Sequence, residues 1–251
     1  MGHSGGATVA DAARFLPAGD SGLVVEFGDA IDRAVSARVV RAAAAVEALA
    51  PEGVVAVTAT FRSLLVRYDP RATCSARLVK AIGALPLDSG TGAATRRVWR
   101  LPTVYGGEGG PDLDAVAAEI DAATADVVRL HAGETYHVYM LGFLPGFAYM
   151  GDVAPPLRLP RLATPRVRLP AGSVAVALQM TAVYPFASPG GWRLLGWTPA
   201  RLFDPAASSP ALLAPGDGVR FDPVDRAEGD RIAAAVAEGA FTPEWTEEAA
   251  A

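Results

Sequence analysis

The first third of the chain alternates short apolar runs with stretches of helical spacing. Apolar residues recur every three to four positions within 31–49 and 73–85, which predicts two helices. Short β-prone runs predict four strands, at residues 22–27, 54–60, 64–68 and 97–101. The resulting order β, α, β, β, α, β is that of a ferredoxin-like unit, a small α+β domain.

The second part opens with two short predicted helices, over 112–121 and 124–130, and an alternating strand over 134–141. From residue 142 to residue 205, prolines and glycines recur so often that long helices are excluded. Between these breaks lie β-prone pieces at residues 174–178, 183–186 and 192–197. Such pieces are typical of a closed or nearly closed antiparallel barrel. The expected fold class is α+β, with an N-terminal ferredoxin-like α/β domain followed by a β-barrel domain.

Length and composition favour two domains. The chain has 251 residues, more than a single domain usually has, and DSGTGAAT at 88–95 has the composition of a linker. The expected organisation is a disordered N-terminus over 1–12, a small α+β domain over 13–87, a linker over 88–96, a barrel domain over 97–240 and a tail over 241–251.

Charge and hydropathy exclude several classes of partner. The net charge is −5 and the 22 Lys and Arg residues are scattered, so nucleic acid is not an expected partner. No apolar stretch approaches the roughly 20 residues that cross a bilayer, and the first residues do not resemble a signal peptide. The single cysteine, Cys74, fits a reducing compartment. We therefore expect a cytoplasmic protein without a membrane partner.

Polar residues at the turns of the predicted barrel are candidates for a ligand site at one mouth. Arg166 and Arg168 alternate with apolar residues, which places both guanidinium groups on one face of a strand. They could bind a substrate carboxylate or phosphate, or an acidic partner surface, and a solvated strand face is equally compatible. Ser173 lies in a turn where its hydroxyl and backbone N–H groups could bind an oxyanion. The further candidates are Thr181, Tyr184 and Arg193.

Common catalytic motifs are missing from the sequence. There is no GxxxxGK[ST] phosphate loop, and GGEGG at 106–110 lacks its lysine, which favours a flexible loop over a phosphate cradle. No serine lies in a GxSxG elbow. The three histidines are too few and too badly spaced for a zinc site, so we expect no metal held by protein side chains.

Six short motifs occur in a fixed order between residues 143 and 205: FLPGF, ATPR, PAGSV, YP, SPGGW and LFDP. In this order and at these distances they closely resemble the family called subunit 1 of allophanate hydrolase. That family includes the B subunit of bacterial ATP-dependent 5-oxoprolinase, an inhibitor of a sporulation histidine kinase, and one half of a carboxyltransferase module of urea carboxylase. The resemblance is dense from residue 101 to residue 221 and looser before that, and it implies a cyclophilin-like β-barrel.

The resemblance also draws attention to His131. The segment HAGETYHVYMLGFLPGF matches a family histidine that is followed by a tyrosine-bearing strand and FLPGF. A histidine at a helix C-terminus, interacting with the helix dipole, is the alternative interpretation, and Gly133 as a helix terminator supports it. Tyr136 and Tyr139 differ by three positions on a strand, so at most one of them lines a pocket.

The function implied by the resemblance is a reaction at an amide or ureido carbonyl. We expect a subunit of an ATP-dependent 5-oxoprolinase or a related amide-hydrolysing complex, inactive alone, with ATP as a co-substrate of the assembled complex and no cofactor bound tightly by this chain. The expected partners are a homologous subunit 2 and a LamB/YcsF-type subunit. Allophanate hydrolase, a carboxyltransferase subunit of urea carboxylase, and a histidine kinase inhibitor are the alternatives. The expected catalytic residues are His131, Arg166, Ser173 and Tyr184, and the expected substrate-binding residues are Arg168, Thr181 and Arg193.

Two positions depart from the family pattern. Met180 stands where the family usually has glutamine, and Trp197 stands where it usually has arginine. Both changes replace a polar side chain with an apolar one. They suggest a less polar pocket, and hence a different amide substrate or weakened catalysis.

Overall fold

The computed structural model describes residues 13–87 and 95–249, and the chain divides into two compact units between residues 92 and 93. The predicted disordered segment 1–12 lies outside the described residues. So does most of the predicted linker 88–96, whose last two residues, Thr95 and Arg96, already belong to a strand of the second unit.

The first unit is a four-stranded antiparallel sheet with two helices. In chain order its elements are β1 (Arg14–Pro17), β2 (Gly22–Glu26), α1 (Arg33–Leu49), β3 (Val54–Ala59), β4 (Ser63–Tyr68) and α2 (Ser75–Gly83). The sheet order is β1-β2-β4-β3. Asp32 starts α1, because its carboxylate accepts hydrogen bonds from the backbone N–H groups of Ala34 and Val35. The core lies between the helices and the sheet, around Val39, Val46 and Leu64.

The ferredoxin-like arrangement is present, but one of its strands was misassigned. The predicted closing strand, residues 97–101, belongs to the second unit. The edge beside β2 is filled instead by β1, which pairs with β2 from Arg14 opposite Glu26 to Pro17 opposite Leu23. Strand β1, which precedes the first βα unit, thus occupies the sheet position that was expected for the last strand.

The second unit is a β-barrel with attached helices. In chain order its elements are β5 (Thr95–Tyr105), α3 (Leu113–Glu119), α4 (Thr124–Ala132), β6 (Tyr136–Leu141), β7 (Ala148–Gly151), a 3₁₀ turn (Pro155–Leu157), β8 (Arg166–Leu169), β9 (Ser173–Ala177), β10 (Met180–Val183), β11 (Ser188–Gly190), β12 (Arg193–Trp197), β13 (Gly218–Pro223), α5 (Arg226–Ala237) and β14 (Trp245–Ala249). Among these described helices none is long and apolar enough to cross a membrane.

Seven strands close the barrel in the order β12-β9-β10-β7-β6-β13-β5. The seam is the antiparallel pair of β12 and β5, with Gly196 opposite Tyr105 and Trp197 opposite Val104. The expected α+β fold class with a barrel is therefore confirmed. The predicted tail 241–251 was wrong in part, because β14 adds to the outside of the seam by pairing with β5, Trp245 opposite Trp99.

The barrel strands separate two apolar clusters. The larger one fills the barrel, since β5, β6, β7, β9, β10, β12 and β13 all contribute to it, together with α3 and α4. The smaller cluster lies on the opposite face of β7, β9, β10 and β12, where alternate residues such as Ala175 and Ala182 point. It is covered by Leu169 of β8, and β8 pairs with β11 in a separate two-stranded sheet, the outer ribbon. This outer layer, built from the motif-rich segment, positions the candidate site.

Candidate functional site

The sequence-predicted site residues do not converge on one mouth of the barrel. His131 and Thr181 are buried inside it, whereas Tyr184 belongs to the outer cluster and Arg166 and Arg168 lie on the outer ribbon. The remaining two, Ser173 and Arg193, start strands β9 and β12.

His131 is fully buried, and both of its ring nitrogens are hydrogen-bonded. Nδ1 lies 2.7 Å from the hydroxyl of Tyr105, and Nε2 lies 2.9 Å from the hydroxyl of Thr181. The Thr181 hydroxyl donates to the carbonyl oxygen of Ala175, so it accepts from Nε2–H. The network therefore assigns the Nε2–H tautomer, in which Nδ1 accepts from Tyr105.

The surroundings of His131 favour its neutral form. Its ring lies 4.6 Å from the ring of Phe221 and 5.2 Å from that of Tyr136, measured between centroids. Burial lowers the pKa of His131 to about 3. The same burial raises the pKa of Tyr105 well above its ordinary value. His131 and Thr181 thus form a buried hydrogen bond that links α4 to β10 inside the barrel. This geometry favours a structural role for His131 over contact with substrate.

Arg166 forms a two-point ion pair with Asp112. Its Nη1 and Nη2 donate to the two carboxylate oxygens of Asp112 at 2.9 and 2.6 Å. The same carboxylate accepts from the backbone N–H of Leu194 at 2.7 Å, and the Asp112 side chain is only 12% exposed. The pair therefore ties the outer ribbon to the start of α3 and to β12, which leaves Arg166 engaged rather than free for an anion.

Replacing Arg166 with alanine is expected to destabilise the second unit by about 1–2 kcal/mol, because it leaves the largely buried Asp112 carboxylate with the Leu194 N–H alone. Arg166→Lys should recover part of the loss, since lysine keeps the charge but not the two-point geometry. Urea unfolding followed by tryptophan fluorescence measures both. Arg168→Ala is the matched control, because that exposed residue of the same strand has no side-chain partner in the described structure. Equal stability of the Arg166→Ala and Arg168→Ala variants would contradict the ion-pair role.

Ser173 and Arg193 are also engaged. The Ser173 hydroxyl donates to the carbonyl oxygen of Pro170 at 2.8 Å, and the residue is 2% exposed, so it closes a turn. Arg193 pairs with Glu119 of α3 at 2.7 Å and donates from Nε to the carbonyl oxygen of Pro160 at 3.1 Å. Of the predicted arginines, Arg168 remains exposed and available to a ligand.

Tyr184 lies in a group of aromatic residues on the outer face of the barrel. The outer aromatic cluster consists of Phe147, Tyr149, Tyr184 and Trp192, and its rings make edge contacts at centroid distances of 5.0 to 6.0 Å. Phe147 and Tyr184 are buried, while Tyr149 and Trp192 are half-buried. The cluster therefore presents two amphipathic rings at its margin.

Arg161 is the cation of this region, and sequence reasoning missed it. It is exposed and lies in the loop that leads to β8. Burial raises the pKa of the Tyr149 and Tyr184 hydroxyls, and the positive charge of Arg161 partly opposes that rise at both residues. A backbone hydrogen bond from Trp192 acts on Tyr184 in the same direction. The charge of Arg161 thus acts on both phenols of the cluster. Arg161 lies in a loop without helical or strand periodicity, so no sequence pattern indicates this placement.

The FLPGF segment forms the turn that supports the cluster. Gly146 has a φ of +77°, and a Cβ there would lie 2.8 Å from Cβ of Phe203 and 2.9 Å from the carbonyl oxygen of Leu202, so the turn requires glycine. Phe147 is buried, while Phe143, which has a φ of +69°, is a 63% exposed residue. The motif therefore positions Phe147 beneath the cluster.

The two departures from the family pattern lie in different surroundings. Met180 is 6% exposed on the outer face of β10, and a Cβ on Gly151 would lie 3.2 Å from its sulfur. Trp197 packs on Gly109, Gly172 and Gly229 and under the guanidinium of Arg226 at 5.8 Å. Trp197 thus fills a packed position at the barrel seam, whereas Met180 packs beside Gly151 on the outer face of β10.

The fold and the motif-rich outer layer define a class: two-unit α+β proteins with a closed seven-stranded barrel. The chain belongs to the family of the carboxyltransferase domain, subdomains C and D, whose model matches residues 13–213.

Two curated relatives carry the name of the B subunit of 5-oxoprolinase. That of Bacillus subtilis (strain 168) is 36% identical over 217 residues, which cover 81% of this chain and 89% of the relative. That of Escherichia coli O157:H7 is 52% identical over 127 residues, which cover 51% of this chain and 58% of the relative. The chain therefore spans less than two thirds of the length of the Escherichia coli protein in this match.

Solved structures agree with the fold. The structure of TTHA0988 is 38% identical with a TM-score of 0.73, and the match covers 81% of this chain but 40% of that one. The Kluyveromyces lactis urea amidolyase has a TM-score of 0.76 at 23% identity, covering 94% of this chain and 16% of that one, which bears on the fold alone. In both, the matched part is a fraction of a longer chain.

Proposed function

We propose that this chain is the B subunit of an ATP-dependent 5-oxoprolinase, which opens the lactam of 5-oxoproline to give L-glutamate. The observation that carries the proposal is the match to the B subunit of the Bacillus subtilis 5-oxoprolinase, which extends over 89% of that protein. The ordered motifs support it, because Phe147 of FLPGF, Tyr184 of YP and Trp192 of SPGGW pack in one cluster on the outer face of the barrel.

The described side chains suit a role in substrate binding better than a complete catalytic role. Ring opening requires stabilisation of negative charge on the lactam oxygen and activation of water. The candidate residues for such steps are engaged: His131 and Thr181 bond each other, Arg166 bonds Asp112, and Ser173 bonds Pro170. We therefore propose that the chain is inactive alone and that the amide-hydrolysing site is completed by other subunits.

The proposed partners are the homologous subunit 2 and a LamB/YcsF-type subunit, in the cytoplasm. The longer chain of TTHA0988 supports a unit that works beside further segments, because this chain matches only 40% of it. ATP acts as the co-substrate of the assembled complex, and Arg168 remains a candidate contact for an anionic group of a substrate.

The test is release of glutamate from 5-oxoproline with ATP, measured for the purified chain alone and after co-expression with the two proposed partners. We expect no turnover by the chain alone and ATP-dependent turnover by the assembled complex. Assembly is checked by co-purification. Turnover by the chain alone would contradict the requirement for partners, and an assembled but inactive complex would contradict 5-oxoproline as the substrate and favour an allophanate or urea-derived amide.

A further inference from the structure

We infer that Arg161, with Tyr149, Tyr184 and Trp192, forms a subsite that binds the carboxylate and the flat ring of a small amide-bearing acid. Its assignment to the carboxylate of 5-oxoproline rests on the proposed function. The subsite lies on the outer face of the barrel, between the loop before β8 and the SPGGW segment.

The first support is that three neighbouring arginines have hydrogen-bond or ion-pair partners, whereas Arg161 has none in the described part of the chain. Arg158 donates to the carbonyl oxygen of Val153, Arg166 pairs with Asp112, and Arg193 pairs with Glu119. Arg161 has no side-chain acceptor among residues 13–87 and 95–249. Arg161 is therefore an exposed cation whose hydrogen-bonding groups are available, whereas the guanidinium groups of Arg158, Arg166 and Arg193 are occupied.

The second support is the way the backbone holds Arg161 in place. The N–H of Leu162, the next residue, donates to the carbonyl oxygen of Gly191 at 2.7 Å. A Cβ on Gly191 would lie 3.7 Å from Nε of Arg161 and 3.5 Å from Cγ of Pro165. The Arg161 guanidinium thus lies directly beside the buried Gly191 backbone, and a methyl group added at Gly191 would contact it.

The third support is the adjoining glycine. A Cβ on Gly190 would lie 2.5 Å from the Tyr184 hydroxyl and 2.5 Å from Cδ1 of Leu169. The buried Tyr184 phenol therefore packs against Gly190, the neighbour of the residue that Arg161 lies beside, and so helps to hold this backbone stretch in place. A carboxylate that approaches from solvent meets the exposed Arg161 guanidinium, whose charged N–H groups are strong donors to an anion.

The aromatic margin supplies the surface for a ring. Tyr149 and Trp192 are half-buried, with centroids 6.0 Å apart and planes inclined by 62°. Phe147 packs against both and fixes them from below. Rings held in this way offer an apolar contact that costs little side-chain entropy, while the tyrosine hydroxyl and the indole N–H stay polar. A small acid with a flat lactam ring matches both halves of the site.

The experiment measures binding of 5-oxoproline to the purified full chain by calorimetry and by tryptophan fluorescence, with 2-pyrrolidinone as the matched ligand that lacks the carboxylate. We expect Arg161→Ala to weaken 5-oxoproline binding about tenfold or more and to leave 2-pyrrolidinone binding unchanged. The affinity of Arg161→Lys for 5-oxoproline should fall between those of the wild-type protein and Arg161→Ala. Arg231→Ala on α5, an exposed arginine whose partner is Glu228, is the charge-matched control. Equal affinity of the wild-type protein and Arg161→Ala would overturn the subsite.

A second variant tests the packing beside the Arg161 guanidinium rather than its charge. Gly191→Ala adds a methyl group that meets only ordinary contacts, so the protein should fold normally, yet 5-oxoproline binding should weaken. In the assembled complex the Arg161→Ala change should raise KM about tenfold with a smaller effect on kcat. If the complex turns over 5-oxoproline and Arg161→Ala leaves KM unchanged, the subsite is wrong and the function stands. If the complex is inactive, binding of other small carboxylates, with loss in Arg161→Ala, still supports the subsite, and no carboxylate binding overturns it.

Discussion

Lowering the pH from 7.5 to 4.5 is expected to cost the second unit about 3 kcal/mol of stability through His131 alone. The histidine is fully buried, and burial lowers its pKa from 6.5 to about 3 in the folded protein. Protonation inside the barrel would place a charge beside Phe221 and deprive the Tyr105 hydroxyl of its acceptor, Nδ1. The folded state therefore excludes the proton that the unfolded chain binds.

The sign of the pH dependence follows from these two pKa values. Between pH 6.5 and pH 3 the unfolded chain carries one more proton at this site than the folded protein does, so the free energy of unfolding rises with pH at about 1.4 kcal/mol per pH unit. Above pH 6.5 neither state is protonated and the contribution is complete. As the pH falls below 6.5 it is lost progressively, until the folded protein also protonates near pH 3.

The measurement is urea unfolding at several pH values, followed by tryptophan fluorescence. The protein has four tryptophans, Trp99, Trp192, Trp197 and Trp245, and all lie in the second unit, so the signal reports on that unit alone. His131→Gln, which does not titrate, is expected to be less stable at pH 7.5 but to lose about 3 kcal/mol less than the wild-type protein on acidification. Identical pH profiles of the two proteins would show that another group causes the acid sensitivity.

The barrel was predictable because its signals are local. Proline and glycine interrupt the chain between residues 142 and 205, and the short pieces between them have strand-forming residues. The two edge strands were missed because their signals depend on pairing. β1 has only four residues, mostly exposed, and β14 contains Glu247 and Glu248, which suggest a solvated tail until their cross-strand partners Arg97 and Arg96 are known.

The candidate site was predictable only in part, for a related reason. Alternation placed Arg166 on a strand face, but nothing in the sequence reveals that Asp112, 54 positions earlier, occupies it. The family resemblance singled out His131, yet its burial depends on α4 facing Tyr105 and Thr181. Arg161 lies in a loop, where the sequence has no helical or strand periodicity that would predict which way its side chain points. Motifs thus located the outer layer, and the assignment of roles within it depends on contacts between distant segments.

The sequence of GGEGG favoured a flexible loop over a phosphate cradle, but the structure shows close backbone packing in this segment. The Gly106 N–H donates to the carbonyl oxygen of Leu195 at 2.9 Å, and the Gly110 N–H donates to the carbonyl oxygen of Gly106 at 2.9 Å. A Cβ on Gly110 would lie 2.1 Å from the Leu195 carbonyl oxygen and 2.7 Å from the Gly106 nitrogen. Both obstacles are backbone atoms, so a side chain fits only if β12 or the segment moves.

Gly110→Ala is therefore expected to destabilise the second unit by about 3 kcal/mol or more, the range of severe steric changes at a packed site. The displaced segment leads into Asp112, whose N–H donates to the carbonyl oxygen of Leu194 and whose carboxylate holds Arg166. These contacts adjoin the seam where Gly196 pairs with Tyr105, so the loss extends to barrel closure. Urea unfolding by tryptophan fluorescence measures the change.

Gly107→Asn is the matched control for Gly110→Ala. Gly107 has a φ of +56°, which asparagine tolerates, and a Cβ there meets no atom within 4 Å. We expect that variant to stay within about 1 kcal/mol of the wild-type protein. If Gly110→Ala lost as little stability as Gly107→Asn, the GGEGG segment would have to move without disturbing β12. The contacts of Asp112 would then not depend on the position of that segment. A large loss in Gly110→Ala alone would place the glycine requirement at the seam, where the same contacts that close the barrel also hold the outer ribbon beside Arg161.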